Sequence, residues 1–291
     1  MRKISEEELK EILDKHKEFL SSSNGKKGKL ADLHNVNINF THADFLHGAD
    51  LRGANLAGAN LYGMNLQNIN LSDANLQYAN LSSSNLCGAK FHGADLRNAD
   101  LSNSNLVGVS LDRINLHHIN LSGANLEFAD LSSSNLTCAN LCDANLTKVQ
   151  LHHTELFGAN LSRANLNHAY LYAANLLDAN LTDANLTGVY LSDADLSHAN
   201  LTGSNLTDTN LQGTILTQTK LPKQIIQIGP IGSRRSYTVI NLDDDIIYCE
   251  RWKGNTEEFK NRIDEVYPDD GEYRTQYLLV IKIIESLKNV K

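Results

Sequence analysis

Leucine recurs at every fifth residue from Leu51 to Leu216, 34 positions in succession without an insertion, and only Phe91 interrupts the series. A period of five does not fit a heptad coiled coil, whose period is seven. Leucine-rich repeats are excluded as well, since their units run to 20 residues or more. Two residues before the leucine the residue is small in most repeats, Ala in 20, Ser in four and Thr in three of the 34, so the chain on that side must pack closely. The residue between them is Asn in 22 repeats and Asp in five, so one polar type is demanded there. In extended chain successive side chains point to opposite faces. The small residue and the leucine therefore point inward and the Asn points out. The last two residues of each repeat are rich in Gly, Asn, Asp and Ser, which favour turns. Each repeat thus reads as one short extended side followed by a corner. Coils stack about 4.8 Å apart, and Asn side chains at that spacing form amide ladders.

The pattern of Ala54-Asn55-Leu56-Ala57-Gly58 and Ala179-Asn180-Leu181-Thr182-Asp183 closely resembles the pentapeptide-repeat family, bacterial type. The resemblance implies an all-β solenoid, a right-handed quadrilateral β-helix with four repeats per coil. The 34 repeats then give 8.5 coils, roughly 41 Å of rod. Upstream the pattern loosens. Leu33 and Ile38 suit one frame, Phe40 and Phe45 another, and the six-residue step from Phe45 to Leu51 predicts a one-residue slip near Gly48.

Three domains are expected: residues 1–30 as an N-terminal capping helix and linker, 31–221 as the β-helix, and 222–291 as a small α+β module. Ser5 to Leu20 reads as an amphipathic helix, with Ser5 and Glu8 as a capping box and Ile4 stapled onto Leu9. Its stripe of Leu9, Ile12, Leu13, His16, Phe19 and Leu20 suits the open core of the first coil. Asn24-Gly25 ends it, and Lys26, Lys27 and Lys29 form a solvated linker. After Leu221 the pattern stops, and all three prolines and the only Trp lie there. Tyr237–Asn241 and Ile246–Glu250 read as a hairpin across Leu242–Asp245. Asn255 with Glu258 starts a helix through Val266, and Glu272 to Val290 reads as a second helix. The run Ile228–Ser233, followed by Tyr237, Trp252-Lys253-Gly254 and Phe259, resembles a tail module found on some bacterial pentapeptide proteins.

Chemistry is harder to find. A short-cornered rod offers no concave pocket of the kind catalysis needs, so no enzyme and no cofactor are expected. No two histidines of the regular region stack in adjacent coils, so no metal is expected either. Ser233, Ser236 and Asp243 to Asp245 lack a base at a diagnostic spacing, and Arg234-Arg235 reads as a solvated hairpin flank. The four cysteines, Cys87, Cys138, Cys142 and Cys249, show neither disulfide nor zinc spacing. Met1 to Lys10 is charged rather than apolar, and no run approaches the ~20 residues of a membrane span. A cytoplasmic protein away from membranes is expected. The net charge of −8 argues against direct nucleic-acid binding.

One face of the square stands apart. The residue before the leucine departs from Asn or Asp at Lys90, Ser110, Gln150, Glu155, Tyr170, Tyr190 and Ile215. Five of these, 90, 110, 150, 170 and 190, differ by multiples of 20 and so share a face. That face also carries Phe91, His92, Asp112, Arg113, His152, His153 and Tyr172, with Val109, Val149 and Val189 inside it. Tyr170 and Tyr190 should stack. Outward Tyr suits a protein partner. Two other readings stay open: the tail folds back over this face, or the backbone there turns differently and no longer wants Asn. A scaffold presenting this face to a protein partner is the first functional expectation. A homodimer through the tail or through this face is compatible with it.

The resemblance implies an alternative. Some pentapeptide proteins mimic B-DNA and act on DNA gyrase, a type II topoisomerase, and quinolone-protection proteins are among them. Residues 51–216 carry 13 acidic and 6 basic residues, a net charge of −7. Duplex DNA carries about 24 charges over roughly 41 Å. The net charge of the rod is under a third of that, and its acids are spread over several faces.

Overall fold

The computed structural model describes residues 1–22, 28–38, 46–232, 236–249, 252–269 and 271–288. From residue 50 to 220 the repeats wind into stacked four-sided coils. Parallel bridges join Asn55 to Asn75, Asn60 to Asn80, Asn65 to Asn85 and Asn70 to Lys90, so one coil takes 20 residues and has four sides. Each side is held twice. Leu56 N–H donates to Asn75 O at 2.7 Å, and Asn75 N–H to Ala54 O at 3.0 Å. The leucines and the small residues two before them are buried, forming one continuous core along the rod. The second corner residue lies in the left-handed region, as at Asn68 and Asp73 with φ of 58°. The Asn side chain secures the corner: Asn60 Oδ1 accepts from Tyr62 N–H at 3.2 Å.

The first coil is longer than the rest. Asp32 bridges Asn55 and Asn37 bridges Asn60, whereas Asp50 bridges Asn70. The offset is therefore 23 residues at the start and 20 thereafter. The expected slip at Gly48 is not there. Leu46 is fully buried in the main frame, and Gly48 N–H donates to Gln67 O at 2.8 Å, in step with later corners. The three extra residues fall between Ile38 and Leu46. Phe40 and Phe45 lie outside the described residues.

Strand β1 (Arg2–Lys3) pairs in parallel with β2 (Val36–Asn37), an edge the sequence did not announce. Helix α1 (Glu6–Ser21) follows. Ser5 Oγ accepts from Glu8 N–H at 3.1 Å, but the Glu8 carboxylate pairs with Arg2 rather than closing a capping box. Ile4 and Leu9 are buried in the core of the rod, with Ile12 and Leu13 packed beside them. His16 is buried too, and its Nδ1 accepts from Ala31 N–H at 3.1 Å. Asn24, Gly25, Lys26 and Lys27 lie outside the described residues.

The far end carries an antiparallel sheet in the order β3 (Ile225–Ile231), β4 (Ser236–Asn241), β5 (Ile246–Cys249) and β6 (Trp252–Gly254). The hairpin β4–β5 lies where expected, while β3 and β6 were not anticipated. Helix α2 (Thr256–Val266) begins at a full capping box of Asn255 and Glu258, and α3 is Glu272–Lys288. The sheet is a middle layer. Ile225, Val239 and Tyr248 join the core of the rod, while Ile240, Ile247 and Cys249 pack with Phe259, Ile263, Tyr277 and Ile284 of the helices. Side chains take up backbone groups of the last coil. Tyr248 OH donates to Thr209 O at 2.6 Å, Asn241 Nδ2 to Leu206 O at 3.3 Å, and Asp244 accepts from Asp208 N–H at 2.8 Å. Burial pushes the Tyr248 phenol up to about 12. Ser233, Arg234, Arg235, Glu250 and Val290 lie outside the described residues.

Candidate functional site

Amide ladders cover two sides of the rod. On one, Asn80, Asn140, Asn160 and Asn180 donate to the Asn 20 residues below, at 3.1–3.2 Å. On the next, Asn105, Asn145 and Asn185 do the same at 2.9–3.2 Å. The face of Lys90, Ser110, Gln150, Tyr170 and Tyr190 has no such ladder among the described residues. In its upper half aromatic rings stack instead. Tyr170 and Tyr190 lie 5.1 Å apart and 3° from parallel, with His152 at 5.8 Å below Tyr170. On the adjoining corner Tyr172 meets His153 edge-on at 5.4 Å.

Lys90, Gln150, Tyr170 and Tyr190 are exposed on the flat of this face. His92, Arg113 and Tyr172 are exposed on the corner that follows it, where Asp112 and His152 are half-buried. The three tyrosines keep 39–46% of their surface in solvent, so the C-terminal elements do not cover them. Nor does the backbone change beneath them: Tyr170 N–H donates to Val149 O at 3.0 Å and Leu171 N–H to Tyr190 O at 2.8 Å. With the ladder intact, the outward side chain is free to be aromatic.

Phe91 requires a correction. It is 1% exposed and points into the core, so it cannot touch a partner. Its effect is on the ladder. Between the coil of Phe91 and the coil of Leu111, two consecutive sides are unbridged, and Lys90–Ser110 and Asp95–Asn115 are missing from the bridge series. Six backbone bonds that every other stacked coil from 51 to 200 makes are lost. Their donors are the N–H groups of Gly88, Phe91, Gly93, Leu96, Ser110 and Asn115. The cause is volume. Phe replaces Leu directly beneath a coil whose inward small positions hold Val109 and Ile114. Val149 and Val189 occupy the same column over leucine centres with the ladder intact, so valine alone does not open it. The two halves of the face thus differ from Asn for different reasons. Below, the backbone has parted; above, the side chains alone have changed.

The acids do not form a track. Asp143 is held by Arg163 at 2.7 Å and Asp95 by Arg97 at 2.6 Å, and each hydrogen-bonded guanidinium lowers its carboxyl below the ordinary range. Burial pushes the Cys142 thiol up, assisted by Asp143, which disfavours a reactive thiolate. Among the described residues no three His, Cys, Asp or Glu side chains gather as metal ligands, and no helix is long and apolar enough to cross a membrane.

A family model described as pentapeptide repeats matches eight copies, over residues 31–73, 65–103, 99–137, 124–163, 145–188 and 184–221. No curated protein sequence matches the chain. Among solved structures, HetL, a pentapeptide repeat protein involved in heterocyst differentiation regulation from the cyanobacterium Nostoc sp. strain PCC 7120, is 31% identical. The match covers 66% of this chain and 90% of HetL, with a TM-score of 0.28. QnrB1, a plasmid-mediated fluoroquinolone resistance protein, is 22% identical over 66% of this chain and 92% of its own, with a TM-score of 0.28. Rfr23 from the cyanobacterium Cyanothece 51142 is 34% identical over 41% of this chain and 89% of its own, with a TM-score of 0.22.

Proposed function

This chain belongs to the pentapeptide repeat family, whose members fold as right-handed quadrilateral β-helices, and on that premise we propose that it is a non-enzymatic protein-interaction scaffold. The rod holds a fixed shape, helix α1 and the C-terminal sheet cap its two ends, and the face of Tyr170, Tyr172 and Tyr190 meets a protein partner. One observation carries this reading: a parallel tyrosine stack left in solvent on a side where the ladder needs no tyrosine. Large rigid side chains on a flat, preorganised surface supply contact area at little entropic cost. Residues 31–221 then form the scaffold proper, with 1–30 and 222–291 as its end pieces.

The test is capture by proximity cross-linking with the wild-type chain and a Tyr170→Ser/Tyr190→Ser variant. Loss of the captured protein, with thermal stability unchanged, is the expected outcome. Equal capture by both sinks the reading. The DNA-mimic alternative is addressed by a gyrase supercoiling assay with and without a fluoroquinolone. With Asp95 and Asp143 neutralised by arginines, no change in supercoiling is expected.

A further inference from the structure

Above the tyrosine stack lies a feature that the scaffold reading does not use. Between the last coil and the sheet runs a groove of about 220 Å³, lined by Leu211, Gly213, Ile215, Tyr237 and Val239. Ile215 and Tyr237 stand at its mouth with 48% and 46% of their surface exposed. Ile215 is one of the seven departures from Asn or Asp, on the side next to the tyrosine face. It bridges Asp195 directly beneath it, as Asn210 bridges Tyr190. The groove therefore opens one coil above Tyr190 and two above Tyr172.

The ground between is acidic. Asp193 is exposed on the corner below Gly213, close enough that a Cβ on Gly213 would fall 2.2 Å from its Oδ1. Asp195 is half-buried on the adjoining side, where it accepts from Ser197 N–H at 2.9 Å. Glu155 lies two coils lower on that side and accepts from Asn175 Nδ2 at 2.7 Å. No cation among the described residues pairs with any of the three. Lys148 stands on the opposite flank of the tyrosine face, 5.4 Å over the Phe128 ring. Aromatic rings and unpaired carboxylates both attract a cation, and an apolar groove takes an aliphatic side chain.

Resting on the scaffold reading, we propose that this surface binds an extended peptide segment of the partner bearing a lysine or arginine. The cation sits among Tyr172, Asp193 and Asp195, and an aliphatic side chain fills the groove under Tyr237. The spacing follows from the coil rise. Two coils are about 9.6 Å and an extended chain advances about 3.3 Å per residue, so the aliphatic residue lies two or three positions from the cation.

A random dodecapeptide display library selected against the full chain tests this. The expected result is enrichment of Lys or Arg two or three positions from Leu, Ile, Val or Met. A selected peptide is then titrated against Asp193→Asn/Asp195→Asn, with about a tenfold loss expected, and against Ile215→Ser, with a comparable loss. Asn is the common residue at the column of Asp195, so the fold is preserved. Peptides that need Tyr170 and Tyr190 but bind the double Asn variant as tightly as wild type refute the cation and leave the scaffold reading standing. Enrichment of acidic peptides does the same. No enrichment over a support without the chain refutes the inference, and the Tyr170→Ser/Tyr190→Ser capture experiment then decides the scaffold reading separately.

Discussion

Replacing Phe91 by Leu should close the seam in the rod. The six ladder bonds missing between the coils of Phe91 and Leu111 would re-form, because Leu is the centre beneath every intact ladder of this column. Solvent has partial access to the parted groups: Ala89 and Ala94 are 5% exposed, against 0% for Ala124, Ala129, Ala164 and Ala169. The low end of the net value is therefore appropriate, about 0.5 kcal/mol per bond or about 3 kcal/mol in all. Trimming Phe to Leu returns about 1 kcal/mol of buried apolar surface. The expected gain is about 2 kcal/mol against local opening, which is roughly a 30-fold slowing of exchange. Hydrogen–deuterium exchange is the assay, since a long repeat array opens locally rather than all at once. In the wild type, the amides of Gly88, Phe91, Gly93, Leu96, Ser110 and Asn115 should exchange faster than the matching amides two coils on, such as Leu131 and Gln150. In Phe91→Leu the two sets should converge. If the six amides are already as protected as Leu131, or if the leucine variant exchanges faster at the seam, then Phe91 is not a wedge and the volume argument fails.

Two further outcomes concern the ends of the rod. His16 is buried with Nε2 unpartnered, its Nδ1 accepts from Ala31, and burial lowers its pKa below the ordinary value, with Asp50 opposing and Arg52 assisting. The unfolded chain thus binds a proton first as pH falls. This contribution to stability is complete above about pH 6.5 and is lost below it, toward the lower folded pKa. The protection of the Ala31 amide, its rate taken relative to an unstructured amide at each pH, should fall between pH 7 and 5 more in the wild type than in His16→Gln, and an equal fall would contradict this. At the other end, Tyr248→Phe leaves Thr209 O without its donor and should cost about 1–3 kcal/mol, read as a lower Tm and a loosened β4–β5 hairpin. Ultraviolet titration should show a late step in the wild type that the variant lacks, because burial raises Tyr248 to about 12.

The rod was legible because its determinant is local and repeated: one inward Leu, one small residue and one Asn fix a side, and the same choice recurs at the spacing that stacks it. The ends were legible only in part. Helix α1 and the β4–β5 hairpin carry their own caps and turns, whereas β1, β3 and β6 depend on an edge supplied by a distant segment, which no local pattern records. The slip placed at Gly48 failed because Phe45 looked like a centre, while Leu46, next to it, holds the main frame.

The odd face shows what sequence can and cannot resolve in a solenoid. Departure from Asn at Lys90, Ser110, Gln150, Tyr170 and Tyr190 is a single signal in the sequence, and it has two physical origins. An outward position tolerates any side chain while the backbone ladder holds, so aromatic residues above an intact ladder are unexplained by folding and are available to function. An inward position is limited by volume, and Phe91 beneath Val109 and Ile114 exceeds what the ladder can hold. Lys90 and Ser110 are therefore explained by the parted backbone they sit on, and they carry less weight as partner contacts than Tyr170 and Tyr190. The distinguishing observation is the hydrogen bonding behind each residue: Tyr170 keeps its bond to Val149, and Ser110 has lost its bond to Ala89.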